Sequence, residues 1–226
     1  MGEEVDAVKL VDVWKVYPPN EAVLRGVNLR VRIGSFISVR GKSGAGKSTL
    51  LRIIGLLDPP TRGRLFILGR DSSKMNDDEA SRIRLKHVGF IFQFFNLLPS
   101  LTVLENIELP MALAGVDKSI RKQRARELLE RFGILRLADK FPNQLSGGEQ
   151  QRVAVLRALA NEPDIILADE PTASLDEENS SILMDLFKEI NREYLVTIIL
   201  TTVSHEEKLP TIHDYILKGG KLHQIR

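Results

Sequence analysis

The spacing of apolar residues changes period several times along this chain. β-Branched and apolar residues crowd Ala7 to Val16, Val27 to Ile33 and Ser35 to Arg40, which predicts three strands, with Gly34 as the turn between the last two. After Ser48, apolar residues at Leu50, Leu51, Ile53, Ile54 and Leu57 recur at helical spacing until Asp58-Pro59-Pro60 stops the helix. Val88 to Phe92 predicts one further buried strand. The pattern then turns helical through Val103 to Leu113, Ile120 to Phe132 and Gly147 to Ala160, with almost no strand signal. Strands return at Ile165 to Ala168 and Leu195 to Val203, separated by a helix whose apolar face is Ile182, Leu183, Leu186, Phe187 and Ile190. Strands alternating with helices argue an α/β fold with a parallel sheet, and the helical run from about Phe94 to Ala160 predicts a lobe attached to it. No tandem repeat, low-complexity run or linker divides the chain.

Composition narrows the picture. A chain of 226 residues, 43% hydrophobic, can bury a proper core as one folding unit. Lys and Arg (32) nearly balance Asp and Glu (30), so bulk charge gives no reason to expect nucleic acid as a partner. The absence of cysteine excludes disulfides, iron–sulfur ligation and a thiol nucleophile, and agrees with a reducing cytoplasm. The acidic start Met1-Gly2-Glu3-Glu4-Val5-Asp6 is unlike a secretory signal. The longest apolar run, Leu195 to Val203, contains three threonines and falls well short of the ~20 residues of a membrane-spanning helix. Any work at a membrane requires a second chain to supply the span.

Three segments carry chemistry. Gly41-Lys42-Ser43-Gly44-Ala45-Gly46-Lys47-Ser48 lies between a predicted strand and a predicted helix. Glycines there let successive backbone N–H groups converge on phosphate oxygens at the positive end of a helix, with Lys47 reaching the β- and γ-phosphates and the Ser48 hydroxyl on Mg²⁺. This segment alone leaves open which nucleotide binds, and whether the protein is a kinase, a motor or a switch. Ile165-Ile166-Leu167-Ala168 lacks alternation, as a strand covered on both faces should, and ends in Asp169-Glu170. Ligands in such sheets sit at the carboxyl ends of strands, and neighbouring residues point to opposite sides. Asp169 is therefore expected to hold Mg²⁺ through its water shell and Glu170 to polarise the attacking water. The third segment is Leu145-Ser146-Gly147-Gly148-Glu149-Gln150-Gln151-Arg152. Ser146 and Glu149 have the spacing of a capping box, which predicts a helix start. Capping leaves Gly147-Gly148 unexplained, since each glycine in a helix costs up to ~1 kcal/mol against alanine. Bare backbone at a positive helix end suits an approaching anion, such as an ATP γ-phosphate.

In this order these segments resemble the nucleotide-binding subunit of an ABC transporter, over nearly the whole sequence. The resemblance implies a P-loop NTPase core of the ABC ATPase type: a mixed, largely parallel sheet, an antiparallel β subdomain at the N-terminus and an inserted all-helical subdomain. It places the core at 1–93 and 161–226 and the helical subdomain at 94–160. It implies an Mg²⁺-dependent ATPase whose sandwich dimer closes each ATP between one subunit's phosphate loop (Gly41, Ser43 to Thr49) and the other's signature (Ser146, Gly147, Gly148 and Glu149). Each motif occurs once, so a second copy or a homologous subunit would complete each site. Gln93 matches the glutamine that contacts Mg²⁺ or the lytic water and connects to the membrane subunit. His205 matches the switch histidine that grips the γ-phosphate, Asp176 in Leu175-Asp176 is expected at the dimer interface, and Tyr17 matches the aromatic that stacks on adenine, with plain strand packing as its other reading.

The stretch Phe92-Gln93-Phe94-Phe95-Asn96-Leu97-Leu98-Pro99 is similar to a narrower group serving lipoprotein release, macrolide export and permease-like division complexes. Phe94, Phe95, Leu97 and Leu98 are its expected socket for a transmembrane permease, which puts the chain on the cytoplasmic face of the cell membrane. Three positions depart from the family pattern: Lys42 stands where Pro is common, Ala173-Ser174 replaces Ser-Ala or Gly-Ala, and Ser204-His205-Glu206 replaces Thr-His-Asp. The competing reading is an ATPase that mechanically regulates a transmembrane signalling or division protein and transports nothing. The basic residues of Ile120 to Lys140 predict a solvated helix face, with proximity to anionic lipid as the other reading.

Overall fold

A computed structural model describes residues 6–204 and 209–226. Two long strands, β1 (Asp6–Tyr17) and β2 (Glu21–Arg32), form an antiparallel hairpin, and β3 (Phe36–Arg40) leads into the glycine loop and α1 (Lys47–Ile54). Then come β4 (Arg62–Ile67), β5 (Arg70–Asp71), α2 (Asp77–His87) and β6 (Val88–Ile91). Three helices follow, α3 (Val103–Leu113), α4 (Lys118–Arg131) and α5 (Gly147–Leu159). The chain finishes with β7 (Ile165–Asp169), α6 (Glu177–Tyr194), β8 (Thr197–Thr202), β9 (His213–Lys218) and β10 (Lys221–Gln224).

These strands make two sheets. The smaller is antiparallel, in the order β2-β1-β4-β5, and the larger runs β10-β9-β3-β8-β7-β6, parallel except for the terminal β9–β10 hairpin. Successive side chains of the central strands enter two different cores. Phe36, Ile166, Ala168, Ile198 and Leu200 pack with the helices α3 to α6. Ile37, Val39, Ile165, Leu167 and Ile199 pack with α1 and the antiparallel sheet. Burial on both faces is why these strands read as unbroken apolar runs.

β2 starts well before the predicted Val27, because Arg25-Gly26 hides its alternation and Gly26 turns the backbone to φ +69. Several elements lacked an apolar pattern in the sequence. α2 buries only Ile83 and is fixed at its start by an Asn76–Glu79 capping box, while β4 buries only Leu65 and Ile67. α4 is basic, yet Arg121 pairs with Glu108, Arg124 with Glu162 and Arg131 with Glu193, and beyond it Arg136 pairs with Glu149. Those charges are engaged within the protein, which favours the solvated-face reading over the lipid one.

Candidate nucleotide site

The loop between β3 and α1 is built to leave backbone donors unclaimed. Gly46 precedes α1 at φ 102 and gives it no side-chain cap, so the first N–H groups of the helix have no partner among the described residues. A Cβ on Gly44 would meet nothing, whereas one on Gly46 would strike Val23 Cγ1 at 2.8 Å. The loop is thus open on one side and held against β2 on the other. A cavity of about 480 Å³ lies over it, lined by Gly41 to Ala45 and by residues 216–219 of the β9–β10 hairpin. That hairpin, with Lys218 and Gly219, carried no sequence signal.

Lys47 is buried below the loop. Its Nζ donates to Gly41 O at 2.7 Å and Lys42 O at 3.1 Å, and sits 3.0 Å from Glu170 Oε1. Glu170 reaches it from the end of β7 through a left-handed backbone, φ 47, anchored by its N–H on Thr201 O and Oγ1. A residue other than glycine in this region signals local strain held by its surroundings, which is common at functional sites. Asp169, one residue earlier, accepts a hydrogen bond from the Thr201 hydroxyl at 2.6 Å. The two acids therefore diverge, one toward the lysine and one toward β8. Gln93 lies just past the end of β6, the strand paired with β7, and its carbonyl accepts from the Ser174 hydroxyl at 3.3 Å. Ser48, Thr49 and Ser43 line the loop and the first turn of α1. Loop, Lys47, Asp169, Glu170 and Gln93 thus gather at the carboxyl ends of β3, β7 and β6. His205 lies outside the described residues.

Tyr17 ends β1, and its hydroxyl donates to Asp58 Oδ2 at 2.8 Å. Lys15 Nζ donates to Asp58 Oδ1 at 2.5 Å and to Pro59 O at 2.8 Å, and stands 5.1 Å from the Tyr17 ring centre. Burial pushes the Asp58 carboxyl up, but the hydrogen bonds from Lys15 and Tyr17 outweigh it and hold the group below its ordinary range. The aromatic is anchored to the chain just past α1. Asp58 read as a helix stop, and its partners lie too far away in sequence for spacing to suggest them.

The segment 146–149 lies apart. Ser146 caps α5, its Oγ accepting from the Glu149 N–H while the Glu149 carboxylate accepts from the Ser146 N–H and from Arg136 at 2.8 Å. The Ser146 N–H and then Arg136 hold the Glu149 carboxyl below its ordinary range. Among the described residues these hydrogen bonds stay within the segment or go to Arg136, and none reaches the phosphate loop. An anion is not needed to account for both glycines. A Cβ on Gly148 would lie 2.1 Å from Asn179 Oδ1, so packing against α6 accounts for that glycine without an anion. Gly147 would meet only Phe95 Cζ at 3.6 Å and Leu175 Cδ2 at 3.9 Å, and stays unexplained by packing. Asp176 caps α6, its carboxylate accepting from the backbone N–H and the side-chain amide of Asn179, which lower its pKa.

Comparison with known proteins gives this geometry a context. A family model described as ABC transporter matches residues 24–173. The chain is similar to the ABC transporter ATP-binding protein MJ1508 of Methanocaldococcus jannaschii, 47% identical over 93% of this chain and 94% of that protein. It is similar to the lipoprotein-releasing system ATP-binding protein LolD of Novosphingobium aromaticivorans, 45% identical over 87% of each. Among solved structures, the dimeric post-hydrolysis state of the ATP-binding cassette MJ0796, bound to ADP and Pi, superposes with a TM-score of 0.86 at 42% identity, covering 97% of this chain and 99% of that one.

Proposed function

Because the chain belongs to the ABC transporter family of ATP-binding proteins, we propose a working cycle in which two copies, or this chain and a homologous subunit, close around ATP and drive a separate transmembrane permease. The protein is an ATP-hydrolysing subunit of that type. The observation that carries the cycle is the buried Lys47–Glu170 contact at 3.0 Å under an uncapped helix start. A lysine held by two loop carbonyls and a carboxylate is a cation waiting for a stronger anion. An arriving triphosphate would draw Lys47 from Gly41 O and Lys42 O and release Glu170 to align a water for in-line attack on the γ-phosphate.

The donors available to a metal suit Mg²⁺. The Ser48 hydroxyl, the Asp169 carboxylate and the Gln93 amide oxygen are all hard oxygen ligands, and the Thr201 hydroxyl orients Asp169. Bound there, Mg²⁺ would neutralise charge on the β- and γ-phosphate oxygens. Tyr17, steadied by Asp58, offers its ring to the base. Ser146, Gly147, Gly148 and Glu149 would meet the γ-phosphate bound by the partner, with Asp176 at the seam. The Ser146 oxygen is occupied as an acceptor, yet its proton stays free to donate. His205, by resemblance, would grip the same phosphate. We read 94–160 as the moving helical subdomain and 1–93 with 161–226 as the nucleotide-binding core.

For the permease, the surface beside Gln93 is the best-supported contact. No helix among the described residues is long and apolar enough to cross a membrane. A groove of about 280 Å³ opens between the β6 end and α3, lined by Phe92, Asn96, Leu109, Pro110 and Leu113. Phe94 stands exposed beside it, as does Leu113. Arg157 fixes its floor by donating to Phe95 O and Asn96 O. In this reading Leu109 and Leu113 join the expected Phe94, Phe95, Leu97 and Leu98 in the socket, which would hold the protein peripherally on the cytoplasmic face.

The test is Glu170→Gln, which keeps shape and removes the carboxylate. ATP binding should survive while turnover falls by at least ~10². Near-normal steady-state hydrolysis would remove Glu170 from its role.

A further inference from the structure

Gln151 is fully buried in α5, one turn beyond the Ser146 cap, among Val153, Ala154 and Val155. A polar amide in such a place destabilises the fold unless its hydrogen bonds are made. Its Nε2 donates to Pro171 O at 2.9 Å and to Phe92 O at 3.3 Å. Both neighbours are carbonyls, so the amide nitrogen must face them whatever the orientation drawn. Its Oε1 has no partner among the described residues, so the group is not there because it satisfies itself.

What the two carbonyls have in common is position. The β6–β7 ladder ends at the pair Ile91–Ala168, and past it the strands part, one into Phe92-Gln93 and the other into Asp169-Glu170-Pro171. Proline has no N–H to continue a ladder. The Gln151 amide spans the gap with one N–H to each strand end. A second tie lies beside it, since the Ser174 hydroxyl donates to the Gln93 carbonyl at 3.3 Å. Alanine at 174 could not make that bond.

We propose that Gln151, with Ser174, is a positioning residue for hydrolysis: it clasps the main chain entering Gln93 to the main chain leaving Glu170 and makes both follow the helix that Ser146 begins. This rests on the roles assigned above to Gln93 and Glu170. A shift at the start of α5, as when a partner's nucleotide engages it, then moves the two catalytic segments together. The consequence is chemical alignment with no share in ATP affinity, because neither side chain touches the phosphate loop.

Gln151→Leu keeps the volume and removes both donors, and Ser174→Ala removes the outer tie at an exposed position where folding is not at stake. In the full chain with ATP and Mg²⁺, kcat should fall about tenfold for Q151L and about threefold for S174A, with the ATP dissociation constant within twofold of the parent for both. Turnover within twofold of the parent in Q151L overturns the clasp, as does the same result in S174A should Q151L fail to fold. A loss of turnover matched by an equal loss of ATP affinity also overturns it, since a purely structural role would move both. Glu170→Gln, run alongside, separates the two levels. If that variant turns over normally the catalytic reading itself fails, and if it is inactive while Q151L and S174A are normal, only the clasp does.

Discussion

The starts of α1 and α5 offer an anion the same thing, free N–H groups at the positive end of a helix, but the chain furnishes them differently. α1 begins at Gly46 with no side-chain cap and brings its own cation, the buried Lys47, with Glu170 within 3.0 Å of it. α5 begins with a closed capping box, and the cation nearest its acid, Arg136, is already bonded to Glu149. An uncapped helix start costs about 1 kcal/mol until something fills it, so α1 is poised for a ligand in the isolated chain. α5 is stable as it stands, and the cation beside its acid is already engaged. The difference is what the proposed cycle calls for: a gripping half-site and a pressing half-site that would meet across two chains.

The strongest way to break this comparison is to disable each half separately. Lys47→Ala should lower ATP affinity and turnover by about 10² or more. Ser146→Ala should leave binding by the isolated chain within about twofold while lowering turnover about tenfold, one hydrogen bond to the transition state. Equilibrium binding of a fluorescent ATP analogue and phosphate release decide between them. If Ser146→Ala weakened binding as Lys47→Ala does, the two helix starts would serve one site in one chain.

A finer test uses the paired glycines. Gly148→Ala should destabilise the fold by about 1–3 kcal/mol in urea unfolding, because its Cβ would sit 2.1 Å from Asn179 Oδ1. Asn179→Ala in the same chain should recover part of that loss. Gly147→Ala has room, with Phe95 Cζ at 3.6 Å, and should leave stability unchanged or raise it by a few tenths of a kcal/mol while turnover falls. Full turnover in Gly147→Ala would show that no anion needs bare backbone there.

A further test concerns the Tyr17–Asp58 anchor, on the side of α1, where the proposed function puts the base. Asp58 has a lowered pKa in the folded chain, so its charge contributes stability that is fully present above the unfolded carboxylate value and lost as pH falls through the folded one. Asp58→Asn should therefore be less stable than the parent by at most about 1 kcal/mol at neutral pH, since solvent screens much of the interaction, with the gap closing below about pH 4. A gap that stays constant with pH would mean the Lys15 and Tyr17 bonds to Asp58 contribute through shape alone.

Sequence and structure differ in an instructive way at these places. The central strands were legible because both faces are buried, leaving Ile165 to Ala168 and Thr197 to Thr202 without alternation. The cap of α5 was legible because Ser146 and Glu149 are three residues apart. α2 was not, since it buries a single side chain, Ile83, and so shows no apolar period, even though its Asn76–Glu79 cap has the same three-residue spacing. The same limit applies within the site. Lys47, Asp169 and Glu170 announce themselves by local pattern, but the partners that aim them are long-range: Thr201 beside Asp169, Asp58 beneath Tyr17, Gln151 between Phe92 and Pro171, Asn179 against Gly148. Each is set by which strands and helices lie side by side, and no spacing within one segment records it. The extra length of β2 was hidden for a local reason, the interruption at Arg25-Gly26.

Sedimentation velocity of the Glu170→Gln chain tests the central claim most directly, because slow hydrolysis lets any closed state accumulate. With saturating ATP and Mg²⁺ the account predicts a shift from monomer to dimer, absent with ADP and weakened when Ser146→Ala is added. A chain that binds ATP and yet sediments as a monomer would contradict it.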